Sequence, residues 1–152
     1  QILSLLKFLD GLQCQGAVTS LGRVMKNFVT RSQRRGLAIV ISDLYDPDGF
    51  AAGFDVLRHH RYEPHVVQIY DQNEAEPNLL GDLELYDVET ETVQKVTVTE
   101  RNLRQYRQIF NDFQESVRHY CNTYGLGCTS TTSDVPFDDL ILKMMRTAGA
   151  VQ

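Results

Sequence analysis

Apolar residues recur every three or four positions at the start of the chain, where Ile2, Leu5, Leu6 and Leu9 share one helical face. That spacing predicts a helix over residues 2–12, with Gly11 and Gly16 flanking the break after it. A second stripe, Leu21, Val24, Met25 and Phe28, predicts a helix over about 20–34 that Gly36 closes. Thr19 or Ser20 stands where its N-cap belongs. The period then changes. Residues 37–41, LAIVI, form a short continuous apolar run, as in a strand covered on both faces of a parallel sheet. Pro47 suits a first helical turn, and Phe50, Phe54 and Leu57 carry helical spacing to about His60. Pro64 interrupts, and residues 65–70 form a second predicted strand. Helix, strand, helix, strand implies right-handed crossovers and a parallel sheet.

Between residues 82 and 99 the pattern alternates. Leu83 and Leu85 lie among acids, Val96 and Val98 lie beside threonines, and Glu89, Thr90 and Glu91 stand between the two runs. This predicts a two-stranded hairpin with one wet face, entered through the polar stretch QNEAEPNLLGD. A long helix follows over about 101–124, marked by Leu103, Tyr106, Phe110, Phe113, Val117, Tyr120 and Tyr124 and ended by Gly125. Residues 128–133 make a third, less apolar strand. Pro136 opens a last helix carrying Leu140, Ile141, Met144 and Met145. The expected fold is α/β: one domain over residues 1–152, a partial parallel sheet flanked by helices in three layers, with an inserted β-hairpin.

Composition narrows the function classes. A chain of 152 residues, 42% hydrophobic and 23% charged, suits one soluble globular domain. A net charge of −5 and a pI near 5.3 leave no basic stripe for nucleic acid. Arg31, Arg34 and Arg35 cluster before Gly36, where cations favour a helix C-terminus. Cys14, Cys121 and Cys128 are odd in number and form no CxxC, which predicts reduced thiols and a cytoplasmic setting. No apolar run approaches the roughly 20 residues that span a bilayer. The opening QILSLLKFL lacks the basic n-region of a signal peptide. Without an initiator Met, the chain is taken as a piece of something longer.

The candidate chemistry lies in aspartates. Each predicted parallel strand runs into one: Asp43, Asp71 and Asp134. Ligands of open α/β sheets sit at the carboxyl ends of the strands, and three carboxylates there could attract a hard cation such as Mg²⁺. Against this, Asp48 and Asp134 suit helix N-caps, and Asp71 suits a turn with no helix after it. Asp43, directly after the first strand, is open to metal or partner contact or to a local turn role. His59 and His60 sit at a helix C-terminus, His65 starts a strand and His119 has no partner at i+4. No GxSxG, HExxH, P-loop or GxGxxG occurs, and no nucleophile stands beside a base.

The segments GAVTSLGRVMKNF, RRGLAIVISDLYDPDGF, HVVQIYDQNEAEPNLLGDLELYDVET and STTSDVPFDDLILKMMR resemble the family called domain of unknown function 58. That family is similar to the von Willebrand factor type A domain, and its members are often encoded with MoxR-type AAA+ ATPases. The resemblance implies a non-enzymatic adaptor that binds a protein partner at a metal-ion-dependent adhesion site. Carried over, Thr19 and Asp43 match metal-contacting positions; Asp46 and Asp48 are expected to shape the loop and, with Asp134, to form the partner-binding rim. The family's DxSxS motif is absent from these residues, so the resemblance places this chain as the C-terminal part of the domain, its first three strands upstream. Two ligands cannot hold Mg²⁺ in octahedral coordination, so no cofactor is expected in this fragment, and Mg²⁺ only in the full-length domain. The truncation predicts an uncovered apolar edge at residues 37–41 and a homodimer through it. The competing reading is a metal-dependent hydrolase of the doubly wound class using Asp43 and Asp46.

Overall fold

The computed structural model describes residues 2–13, 20–32, 34–87 and 92–149. In chain order the elements are α1 (Ile2–Asp10), α2 (Leu21–Arg31), β1 (Leu37–Ser42), α3 (Ala51–His59), β2 (Glu63–Tyr70), α4 (Gln72–Ala75), β3 (Gly81–Tyr86), β4 (Val93–Val98), α5 (Glu100–Tyr124), β5 (Gly127–Thr132) and α6 (Phe137–Gly149).

The β-branched runs of β1 and β2 pair in parallel, and β5 adds to the far side of β2, giving the order β1-β2-β5. The register places Val40 opposite Val66 and Val66 opposite Cys128, with Ser42, Gln68 and Ser130 in the next row but one. Side chains of one row share a face. On this face Ala38, Val40 and Val66 pack with Leu21 and Met25 of α2, Phe54 and Leu57 of α3, and Val117 and Cys121 of α5 in a single core. The fold is therefore α/β with a parallel sheet flanked by helices. β3 and β4 form a separate antiparallel hairpin, Leu83 opposite Val96.

The other face of β1 departs from the expectation of a strand covered on both sides. Leu37, Ile39 and Ile41 are 66%, 53% and 66% exposed. Across β2 and β5 the same face is closed, with Val67, Thr129 and Thr131 buried. An apolar run reports that a strand wants cover; it does not say that the cover is present. At the opposite border, α6 packs against β5, and the Lys143 ammonium donates to the Ser130 carbonyl.

Two helix ends also differ from the pattern. α2 stops at Arg31 instead of running to residue 34: Ser32 turns to extended backbone (φ −100°, ψ 113°), and its carbonyl accepts from the Tyr62 hydroxyl in place of a helical amide. Asp71 does precede a helix: its side chain accepts from the Asn73 amide and caps the single turn α4. Helix α5 begins with a capping box of Thr99 and Asn102 and ends at Gly125, whose φ of 64° is open to a residue without Cβ.

At the amino ends of the strands His65 lies over Gly127, where any Cβ would overlap the imidazole, and its Nε2 meets Thr129 Oγ1 at 3.2 Å. Burial holds the His65 pKa below its ordinary 6.5. An unfolded histidine takes its proton near 6.5, so the folded state binds fewer protons there and loses stability as pH falls through that value. Above it the contribution is constant. Urea denaturation between about pH 5 and 7 should show wild-type stability falling more steeply on acidification than that of His65→Gln. Equal slopes would remove His65 from the pH dependence.

Candidate functional site

Because the three strands are parallel, their carboxyl ends share one pole, and Asp43, Asp71 and Asp134 all stand there. The loop after β1 is the most constrained part of it. Ser42 Oγ accepts from the Leu44 amide at 3.0 Å, and Asp43 Oδ1 accepts from the Tyr45 amide at 3.0 Å. These bonds hold Leu44 at φ 69°, a conformation costly for a branched side chain, while its isobutyl group is driven into the core at 1% exposure. The chain thus dips inward at Leu44 and leaves Asp43 and Tyr45 outside. Tyr45 stacks on Phe113 with ring centroids 5.1 Å apart. Burial, reinforced by the neighbouring Glu74 carboxylate, pushes the Tyr45 phenol up to about 12.

Asp46 has a different task. Its Oδ2 accepts from the Leu21 amide at 2.5 Å and its Oδ1 from the Asp48 amide at 2.8 Å, while the Gly49 amide reaches its carbonyl at 2.8 Å. Ser20 occupies the N-cap position of α2 but makes no side-chain cap bond. The expected local cap is replaced by a carboxylate 25 residues away, which favours the helix N-terminus through charge as well as hydrogen bonding. Asp48 is not a cap either: Phe50 holds the N-cap position of α3, with no side-chain cap bond. Asp48 is exposed, and so is Asp134 in the turn between β5 and α6. Thr19 lies outside the described residues.

Beneath the loop lies a polar residue that apolar periodicity could not reveal. Gln68, fully buried on β2, donates from Nε2 to the Asp43 carbonyl at 3.4 Å and accepts from Ser130 Oγ at 3.2 Å. One amide thereby ties the ends of β1 and β5 to the middle strand. Asp71 and Ser133 are linked in turn, the Ser133 amide donating to the Tyr70 carbonyl at 3.0 Å and Ser133 Oγ lying 3.5 Å from Asp71 Oδ2.

The rim therefore brings Asp43, Asp71 and Asp134 to one end of the sheet without making them a cage. Among the described residues no three His, Cys, Asp or Glu side chains stand together in a way that could hold a metal ion. Asp43 spends one oxygen on its own turn, and the residue remains exposed.

Asp46 and Asp43 should respond differently to truncation. Asp46→Ala removes the cap of α2 and is expected to lower stability by about 1–2 kcal/mol. Asp43→Ala leaves the core untouched and is expected to change it by less than about 1 kcal/mol. Chemical denaturation of the two variants checks the order, and equal losses would contradict the division of labour.

The sequence profile of the family described as "Protein of unknown function DUF58" matches residues 1–118. No curated protein matches, and no solved structure matches. Among the described residues no helix is long and apolar enough to cross a membrane.

Proposed function

The chain belongs to the DUF58 family, and from that premise we propose that it is a non-enzymatic adaptor, the C-terminal part of a von Willebrand factor type A-like domain, whose protein partner docks on the rim at the carboxyl ends of β1, β2 and β5. The supporting observation is the division of labour within one loop. Asp46 gives both carboxylate oxygens to backbone amides, which fixes the loop, and Asp43 is presented to solvent on that fixed turn. Asp48 and Asp134 are exposed beside it as further contacts, and a rim so rich in carboxylates suits a partner surface that carries positive charge. The partner class is the one that the family resemblance implies, a MoxR-type AAA+ ATPase.

The same bonds speak against the hydrolase reading. A general acid or base must be within reach of the reacting group and able to exchange its proton. Asp46, the second carboxylate of that reading, is committed to the Leu21 and Asp48 amides and is not free to work with Asp43. Nor do the described residues fit Mg²⁺, which demands near-octahedral oxygen coordination. The rim of this chain accordingly engages its partner by direct contacts.

Binding of the chain to a MoxR-type AAA+ ATPase is expected to survive EDTA and to weaken about tenfold in Asp43→Ala, the size of a moderate interface hot spot. Calorimetry in the absence of nucleotide reads both. Full affinity in Asp43→Ala would take the rim out of the interface, and loss of binding in EDTA would return a bridging cation to it.

The bare face of β1 supports the placement within a larger sheet. Three aliphatic side chains exposed along an edge strand invite extension by further strands or by a second copy. We propose that the chain self-associates through this edge. Ile39→Lys, which adds a charge at an exposed position, should leave folding intact and shift light-scattering mass toward the monomer. Association unchanged by the substitution would place the contact elsewhere.

A further inference from the structure

Outside the rim, a large concavity opens between α5, the edge strand β5 and α6, with a volume near 1010 Å³. Its wall on α5 is a polar stripe. Arg107, Asn111, Gln114, Arg118 and Asn122 follow one another at intervals of four, three, four and four residues, the spacing of one helical face. The apolar stripe of α5, Leu103, Phe110, Val117 and Cys121, runs beside it into the core. The far wall is supplied by Ser130 and Cys128 of β5 and Lys143 of α6.

Three properties of this cleft point the same way. The first is charge. The protein carries −5 overall, yet the cleft holds Arg107, Arg118 and Lys143 against a single acid, Glu76. The second is an amide without a partner. Gln114 is only 8% exposed, it lines the cleft, and its Nε2 makes no hydrogen bond among the described residues. A buried donor left unpaired is costly unless something from outside completes it. The third is Cys128, whose thiol is pulled below its ordinary range by the hydrogen bond from Cys121, against the effect of burial, with Arg118 adding to the pull. The Arg118 charge is thus felt at Cys128 on the wall of the cleft.

We propose that this cleft binds a small organic anion through a phosphate or carboxylate group, with Arg118 and Gln114 as its principal donors and the charges of Arg107 and Lys143 around it. Guanidinium groups match the planar, multidentate geometry of both oxyanions. The volume lies at the upper end of ligand-sized cavities, so the anionic group carries a body, for which Tyr70 and Phe110 offer an aromatic wall. This site is separate from the aspartate rim, and neither depends on the other's being occupied.

Cys128 supplies the readout. Inorganic phosphate and acetate are titrated separately at ionic strength held constant with chloride. Carbamidomethylation of Cys128 by iodoacetamide is followed by peptide mass spectrometry, and phosphate line width by ³¹P NMR. One of the two anions should slow labelling of Cys128 saturably. Its affinity should fall about tenfold in Arg118→Gln, as for the loss of one charge-assisted bond, and return in part in Arg118→Lys. Protection by phosphate assigns the ligand to phosphate esters, and protection by acetate assigns it to carboxylates. Gln114→Leu, which keeps the volume and removes the donor, should weaken the same anion. Arg118 is exposed, so its variants test the site even where a substitution at the buried Gln114 disturbs folding. Labelling unaffected by either anion, or equally slowed in Arg118→Gln, would overturn the assignment.

Discussion

One carboxylate joins α2 to the loop after β1. By accepting from the Leu21 amide, Asp46 fastens the loop after β1 to the beginning of α2, and by accepting from the Asp48 amide it keeps that loop folded. The helix N-terminus supplies the partial positive charge that makes an acid the natural choice. With α2 held there, Leu21 and Met25 meet Phe54 and Leu57 over the face of β1 and β2, and Gly53 of α3 comes close enough to Leu21 that an added Cβ would lie 3.3 Å from its Cβ. The position of α2 follows from this contact, while the depth of Leu44 and the outward aim of Asp43 follow from the turn bonds of Ser42 and Asp43 beside it.

A second tie works across the sheet. Parallel strands have no hairpins to set their ends level, so their carboxyl ends must be aligned by side chains and by the helices above them. Gln68 does this from the central strand, reaching the Asp43 carbonyl on one side and Ser130 on the other. A fully buried amide that finds partners on both sides is more specific than an aliphatic residue of the same size, because a shift of either neighbour leaves it unsatisfied. The rim proposed to bind a partner thus rests on polar bonds beneath it, and the anion cleft lies beyond Ser130 at the other end of the same row.

Local physics made most of the fold legible in the sequence. The strands at Leu37–Ser42 and Gly127–Thr132, the hairpin and the helix Glu100–Tyr124 all lie within a few residues of where period and punctuation put them. What escaped depends on contacts between distant positions. Local reasoning offers Ser20 as a cap on α2, yet Ser20 makes no side-chain cap bond and the Leu21 amide is met by Asp46. Asp71 was assigned a simple turn because QNEA is too short and polar to show a helical period. On α5 the aromatic and aliphatic stripe was visible while Gln114 and Cys121, equally buried, were not, since neither residue type announces burial. Cys121 and Cys128 are separated by a helix end and a turn, and only the fold brings their thiols into hydrogen-bonding contact. A continuous apolar run at β1 was legible, but its missing cover was not.

The two borders of the sheet are unequal, and that asymmetry limits what the protein can build. Along β5 a lysine donates to a strand carbonyl and a helix lies against the strand, which disfavours the addition of a strand there. Along β1 nothing among the described residues stands over the aliphatic row. A sheet with a single sticky border can be enlarged only once. Joining two copies through it would create a ribbon closed at both ends by ammonium groups, related by a twofold axis and unable to propagate into a fibre.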